Sequence, residues 1–241
     1  MKKKLICYTA AILISLLIYH VLLVTGIDLV AFDKSFYADQ YKRLNTAETI
    51  GISNDELLRV TWELLDYIKD GRDSISDIKA EIKGEVRPVF NERETAHMVD
   101  VKALFRFAYR VRAYSIAAIL LLAAVLVAAA GKKAQSYFAR SFIWTAGVLI
   151  VLLSVLFILI KTNFNYYWDQ FHYLFFDNDL WQLNPETDIM ILMVPEPFFN
   201  SAVTRVLAYF TLGNLTLAAV SAIHIALERR SIRTARDRGQ S

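Results

Sequence analysis

The sequence predicts a mainly α, polytopic membrane protein with four transmembrane helices, a small α/β extracytoplasmic domain and both termini cytoplasmic. Four uncharged apolar runs, 5–24, 113–130, 142–160 and 206–227, each approach the twenty or so residues that a helix needs to cross a hydrocarbon layer of about 30 Å. The composition agrees: 56% of the 241 residues are hydrophobic and the mean hydropathy is +0.35, too apolar for an ordinary soluble domain. Basic residues then set the orientation. Eleven of them (Lys2, Lys3, Lys4, Lys132, Lys133, Arg140, Arg229, Arg230, Arg233, Arg236 and Arg238) fall on one side of the four spans, against only Glu228 and Asp237. That side is expected to be cytoplasmic.

Taken in order, 5–24 is transmembrane helix 1. Lys2–Lys4 before it resemble the positive end of a secretory signal, but the apolar run is too long and no small-residue cleavage site follows Thr25, so a retained anchor is expected. The segment 25–112 is too polar for membrane and too long for a bare loop, and is expected to be an extracytoplasmic domain. Within it Ser53 and Glu56 form a capping-box pattern, and Leu57, Val60, Leu64, Leu65 and Ile68 follow at helical spacing. The pattern predicts a helix over 54–70 that Gly71 ends. Residues 81–89 alternate as a short strand or hairpin, against which Gly84 and Pro88 weigh.

Asn91 and Glu94 repeat the cap logic, and no breaker follows until Gly131. One helix is therefore expected to start outside and run into transmembrane helix 2 at 113–130. A cytoplasmic loop at 131–141 leads to transmembrane helix 3 at 142–160. Then comes an extracytoplasmic aromatic loop, 161–205. Nine of the eighteen residues from Phe164 to Trp181 are aromatic, a density suited to the headgroup level, and Pro185, Pro195 and Pro197 break long helices beyond. Transmembrane helix 4 at 206–227 and a basic cytoplasmic tail at 228–241 complete the chain. The net charge of +3 has its excess in the cytoplasmic loop and tail, which favours anionic lipid and not nucleic acid as a partner. The one cysteine, Cys7, can make no internal disulfide.

Chemistry points to His97 and His172, each just outside an apolar run and inside a cluster of acidic, amide and aromatic residues. Imidazole takes and returns a proton near neutral pH. On a helix Glu94, His97 and Asp100 share a face, and a carboxylate on one ring nitrogen would fix the tautomer and raise the basicity of the other. Arg93 and Arg205 are the cations nearest the outer interface, able to snorkel or to hold an oxyanion. His20 and His224 lie within spans one and four and carry no motif. No serine sits in a nucleophile elbow and Cys7 lies on an apolar helix, so any nucleophile must come from water or the substrate.

The stretches Phe90-Asn-Glu-Arg-Glu94 with His97, Met98 and Asp100-Val-Lys102, Phe171-His172 with Phe175, Phe176, Asn178 and Trp181, and Leu183-Asn-Pro185 with Thr187 and Asp188 resemble the lipoprotein intramolecular transacylase (Lit) family of bacterial four-span membrane proteins. Pro195-Glu196 with Phe198 and Phe199 adds to the likeness, which covers most of the chain. The resemblance implies an acyltransferase of the bacterial plasma membrane with its site facing out. Its substrate would be a diacylated lipoprotein, whose sn-2 acyl chain moves from the diacylglyceryl-cysteine to the α-amine without an acyl-enzyme or cofactor. His97 and His172 would form the proton relay, with Glu94, Asp100 and Asp169 orienting the rings and Asn178 donating to the oxyanion.

Two other readings fit the residues. A metal-dependent lipid hydrolase would use Glu94, His97 and His172 as ligands, though there is no His-Glu-x-x-His pattern and no cysteine ligand. A non-catalytic scaffold or sensor would use the aromatic loop for docking.

Overall fold

The computed structural model describes residues 1–238, so the end of the expected tail at 239–241 lies outside the described residues. Its elements are α1 (Lys2–Ala31), α2 (Lys34–Leu44), α3 (Thr46–Ile50), α4 (Asn54–Ile68), β1 (Lys79–Ile82), β2 (Glu85–Pro88), α5 (Glu92–Ala130), α6 (Ala134–Thr162), α7 (Phe164–Phe175), α8 (Ile189–Met193) and α9 (Glu196–Arg238). Three helical segments among the described residues are long and apolar enough to cross a membrane: Lys2–Ala31, Glu92–Ile160 and Glu196–Asp237. The middle one is interrupted by a 3₁₀ turn over Gly131–Lys133, where Gly131 has φ 56°. That conformation is costly for any residue with a Cβ, and it ends α5 where the sequence predicts.

The chain divides into two units. One consists of Met1–Gly26, Arg110–Asn163 and Leu207–Ser241, the other of Ile27–Tyr109 and Phe164–Val206. In the first, small residues bring α1 close to its neighbours: Cys7, Ala10, Ala11 and Ile14 pack with Leu126 and Ala134. Tyr19 reaches across to α6, where its hydroxyl meets Thr145 Oγ1 at 2.8 Å and the Phe142 carbonyl at 3.2 Å. Such pairing satisfies a hydroxyl that would otherwise stand unbonded in an apolar medium.

The second unit has its own core, in which Leu57, Val60, Ile75, Ile78, Ile82, Phe90 and Met193 are buried together. Helix α4 follows the predicted stripe, with Leu57, Val60, Leu64, Leu65 and Ile68 buried. Its cap differs in part from expectation. Ser53 Oγ accepts from Glu56 N–H at 3.2 Å, but the Glu56 carboxylate accepts from Glu81 N–H at 2.8 Å and so ties α4 to β1. Residues 79–88 form an antiparallel hairpin, Ile82 opposite Glu85 and Lys79 opposite Pro88. Gly84, which weighed against a hairpin, makes it: Lys83 and Gly84 have φ 55° and 84°, the left-handed pair of a tight primed turn. Pro88 sits at the last paired position, where a missing N–H is tolerated.

Candidate active site

The site is built within the second unit by the first turns of α5, by α7, and by the segment from Asp177 to Asp188. The start of α5 is fixed by a reciprocal cap: Glu94 N–H donates to Asn91 Oδ1 at 2.9 Å, and Asn91 N–H donates to Glu94 Oε2 at 2.8 Å. Glu94 does more than cap. It is 1% exposed, and its other oxygen accepts from Met190 N–H at 2.6 Å, joining α5 to α8. Burial pushes its carboxyl above the ordinary carboxylate range, and the two backbone donors pull against that. The expectation that Glu94 orients His97 is thereby corrected: the carboxylate is consumed by backbone N–H groups, and the buried Nδ1 of His97 has no hydrogen-bond partner in the protein.

One turn along α5, His97 faces the interior at 8% exposure, and its ring centroid lies 6.4 Å from that of His172, which is 5% exposed. Phe176 contacts both rings, at 5.4 Å from His97 and 5.8 Å from His172. His172 is held on every side. Its Nδ1 lies 2.8 Å from the Trp168 carbonyl, Trp168 meets the ring edge-on at 4.5 Å, and Trp181 stacks on it at 4.5 Å and 22°. A carbonyl only accepts, so Nδ1 carries the hydrogen and Nε2 the lone pair.

Burial pushes both imidazoles down. For His97 burial leads, the neighbouring His172 adds to it, and the value falls to about 4; for His172 burial leads and the Trp168 carbonyl partly opposes it. Both rings are therefore neutral at pH 7. Asp100 and Asp169 act on the rings at a distance, each favouring the charged form of its neighbour.

The remaining expected residues divide. Asp100 Oδ2 accepts from Asn178 Nδ2 at 2.9 Å, and the Asn178 carbonyl accepts from Trp181 Nε1 at 3.0 Å. This chain of bonds connects the His97 helix to the indole on His172. Arg93 donates to the Asp179 carbonyl and lies 3.5 Å from its carboxylate, so it holds the same loop. Arg205 is not brought to the histidines: it pairs with Asp33 at 3.1 Å and lies over Phe36 at 5.3 Å. Lys102, quoted for the family resemblance only, pairs with Asp70 at 3.0 Å below Tyr67. Among the described residues no group of three or more His, Cys, Asp or Glu is gathered to hold a metal ion.

Some contributors carried no assigned role. Asp188, 5% exposed, accepts from Asn91 Nδ2 at 2.7 Å and from Asn184 N–H at 2.7 Å, locking the loop to the cap of α5. The Trp168 carbonyl and the Trp181 ring set the state of His172. The four-residue step from Trp168 to His172 on one helix was the available signal for the first; nothing local signals the second.

The model of the family described as lipoprotein intramolecular transacylase Lit matches residues 12–199. The chain belongs to that family. Three solved structures of the membrane-integral Lit from Bacillus cereus share its fold. One is 22% identical, covers 92% of this chain and 97% of its own, and superposes with a TM-score of 0.72. The other two carry a single histidine replaced by alanine (21% identity, 92% and 94% covered, TM-score 0.67) or by arginine (22%, 92% and 93%, 0.67). No curated protein sequence matches the chain. A Lit acyltransferase acts on a lipoprotein in a membrane, and here the buried imidazole pair stands within the second unit.

Proposed function

We propose that this Lit-family acyltransferase moves the sn-2 acyl chain of a diacylglyceryl-cysteine, at the N-terminus of a bacterial lipoprotein, onto that cysteine's α-amino group, with His97 and His172 as the proton relay. The single observation that carries the reading is the buried imidazole pair, 6.4 Å apart between centroids, with one tautomer fixed. The amine nitrogen attacks the ester carbonyl, the N–C bond forms, and the glycerol C–O bond breaks. One proton leaves nitrogen and one arrives on the glycerol oxygen, so the product is an isomer of the substrate.

The free lone pair of His172 Nε2 supports the accepting role for that ring, and the delivery to the leaving oxygen falls to His97. An α-ammonium has a pKa of about 7.7–8.0, so the low basicity of both rings disfavours removing its proton before attack. The amine enters neutral, and its proton becomes far more acidic as the N–C bond forms. The imidazolium that results at His172 lies against the Trp181 face, which stabilises a cation. Nucleophile and ester belong to one molecule, so correct folding of the glycerol supplies an effective molarity of up to about 10⁵–10⁸ M.

The accompanying architecture is four spans, with the middle helical segment crossing twice about Gly131. Both termini are cytoplasmic, and 25–112 and 161–205 lie outside the plasma membrane. The balance of basic residues supports this orientation. Partners are the diacylated lipoprotein and membrane lipid.

The test is mass spectrometry of a lipoprotein's N-terminal lipopeptide from a host without other N-acylating enzymes. Wild type is expected to leave the peptide mass unchanged and to move one acyl group from glycerol to the amine. His97→Ala and His172→Ala are expected to leave it on glycerol. A peptide lighter by one acyl group overturns transfer in favour of hydrolysis, and loss of transfer on chelation supports a metal enzyme instead.

A further inference from the structure

We propose that α7 lies in the plane of the membrane surface, its aromatic face sunk among the acyl chains of the outer leaflet, and that this contact sets the depth at which His172 works. Helix α7 is apolar on one side, where Phe164, Tyr167, Phe171 and Leu174 recur at spacings of three and four. On the same side the rings of Phe164, Trp168, Phe171 and Phe175 form a continuous row, with successive centroids 5.7, 6.2 and 4.9 Å apart. The outer edge of the row is uncovered: Phe171 is 44%, Leu174 76% and Phe175 45% exposed. Asn165 and Asp169 occupy the opposite side. His172 borders the apolar face next to Trp168 and points inward.

Lipid, and not a protein partner, is the occupant because of where the helix begins. The apolar run of α6 reaches Ile160, and α7 starts at Phe164. Four residues reach at most about 14 Å, so the first turn of α7 cannot leave the membrane surface. A short helix there, with a wide apolar face and a polar one, gains by lying in the interface. Tyr166 and Tyr173 share the side of Asn165 and Asp169, away from the row, are 52% and 59% exposed, and carry hydroxyls that suit the polar side of that layer. The imidazole is thus held at the boundary between chains and headgroups, where a glycerol ester resides. That last step rests on the transacylase reading.

The test needs no substrate. In the full chain with Cys7→Ser, nitroxides are placed singly at positions 165, 166, 170, 171, 174 and 175, and the protein is put into vesicles of phosphatidylglycerol and phosphatidylethanolamine. Collision with oxygen against a water-soluble nickel chelate is then read by power saturation. The expected profile favours oxygen at 171, 174 and 175 and nickel at 165 and 166. A uniformly aqueous profile overturns the proposal, as does spin–spin broadening at 171 and 174, which would mean that a second copy covers the face. Either result leaves the lipopeptide assay free to succeed or fail by itself.

Discussion

Nδ1 of His172 donates to the carbonyl of Trp168, one helical turn back, over 2.8 Å. A backbone acceptor cannot move independently of α7, so the tautomer is fixed by the fold itself. In the proposed relay the lone pair left on Nε2 accepts the proton, and burial lowers its basicity. General acid–base catalysis of this kind contributes about 10²–10⁴-fold, and His172→Asn, which cannot accept a proton, is expected to lower kcat by that range at unchanged fold.

Acid is expected to loosen the second unit through His97. Its folded-state pKa, about 4, lies below the ordinary 6.5, so between those values the unfolded chain binds more protons. Stability from this group is complete above pH 6.5 and is lost as the pH falls toward 4, on the order of 3 kcal/mol in full. Melting temperatures of wild type in detergent should drop through that window, and His97→Asn should flatten the drop.

Glu94 is expected to matter to folding more than to chemistry. Glu94→Ala strips the acceptor from the buried N–H of Met190, worth about 1–3 kcal/mol when orphaned, and from the part-buried N–H of Asn91, which water can reach at smaller cost. Glu94→Gln keeps a carbonyl for one of them and turns an amide N–H₂ on the other, so its loss should be intermediate. Thermal unfolding of the two variants checks the order.

The bonds from Asp100 to Asn178 and from Asn178 to Trp181 link the His97 helix to the indole stacked on His172, and are expected to couple the two imidazoles. Asn178→Asp sets two carboxylates against each other and is expected to lower kcat by about tenfold to a hundredfold, since small misplacements of reacting groups are that costly. Adding Asp100→Asn restores the hydrogen bond with its roles exchanged and should recover most of the rate. A merely additive double variant would count against the coupling.

Arg205 is expected to be dispensable for the reaction. It pairs with Asp33, which caps α2 through Ser35 and Phe36 N–H, and part-exposed ion pairs contribute under about 1 kcal/mol. Arg205→Gln should leave kcat unchanged and lower the melting temperature slightly.

The apolar runs, the reciprocal cap of α5, the Ser53 half of the α4 cap and the stripe of α4 were legible in the sequence because each is signalled by local spacing. The role of Glu94 was half legible. Its cap with Asn91 is a three-residue pattern, but its second bond goes to Met190, and no local rule states that a carboxylate at a helix start will take a backbone donor from another helix. The pairing with His97 expected from helical geometry gave way to the backbone N–H groups of Asn91 and Met190, the second of them buried. Helices α2 and α3 escaped for a related reason: α2 is capped by Asp33 and ended by a left-handed Asn45, signals that are weak without an apolar stripe. Trp181 and Asp188 are tertiary in kind, since each acts on a residue of another segment.

The bond between Glu94 and Met190 spans 96 residues. A ribosome delivers α5 to the membrane well before it has made α8, so a nascent chain carries His97 long before the partner that fixes the base of its helix exists. The same holds for His172, whose covering indole follows it. Catalytic competence therefore arrives late in biogenesis, with the last third of the polypeptide, and a prematurely terminated chain would reach the bilayer inert toward the lipoproteins around it.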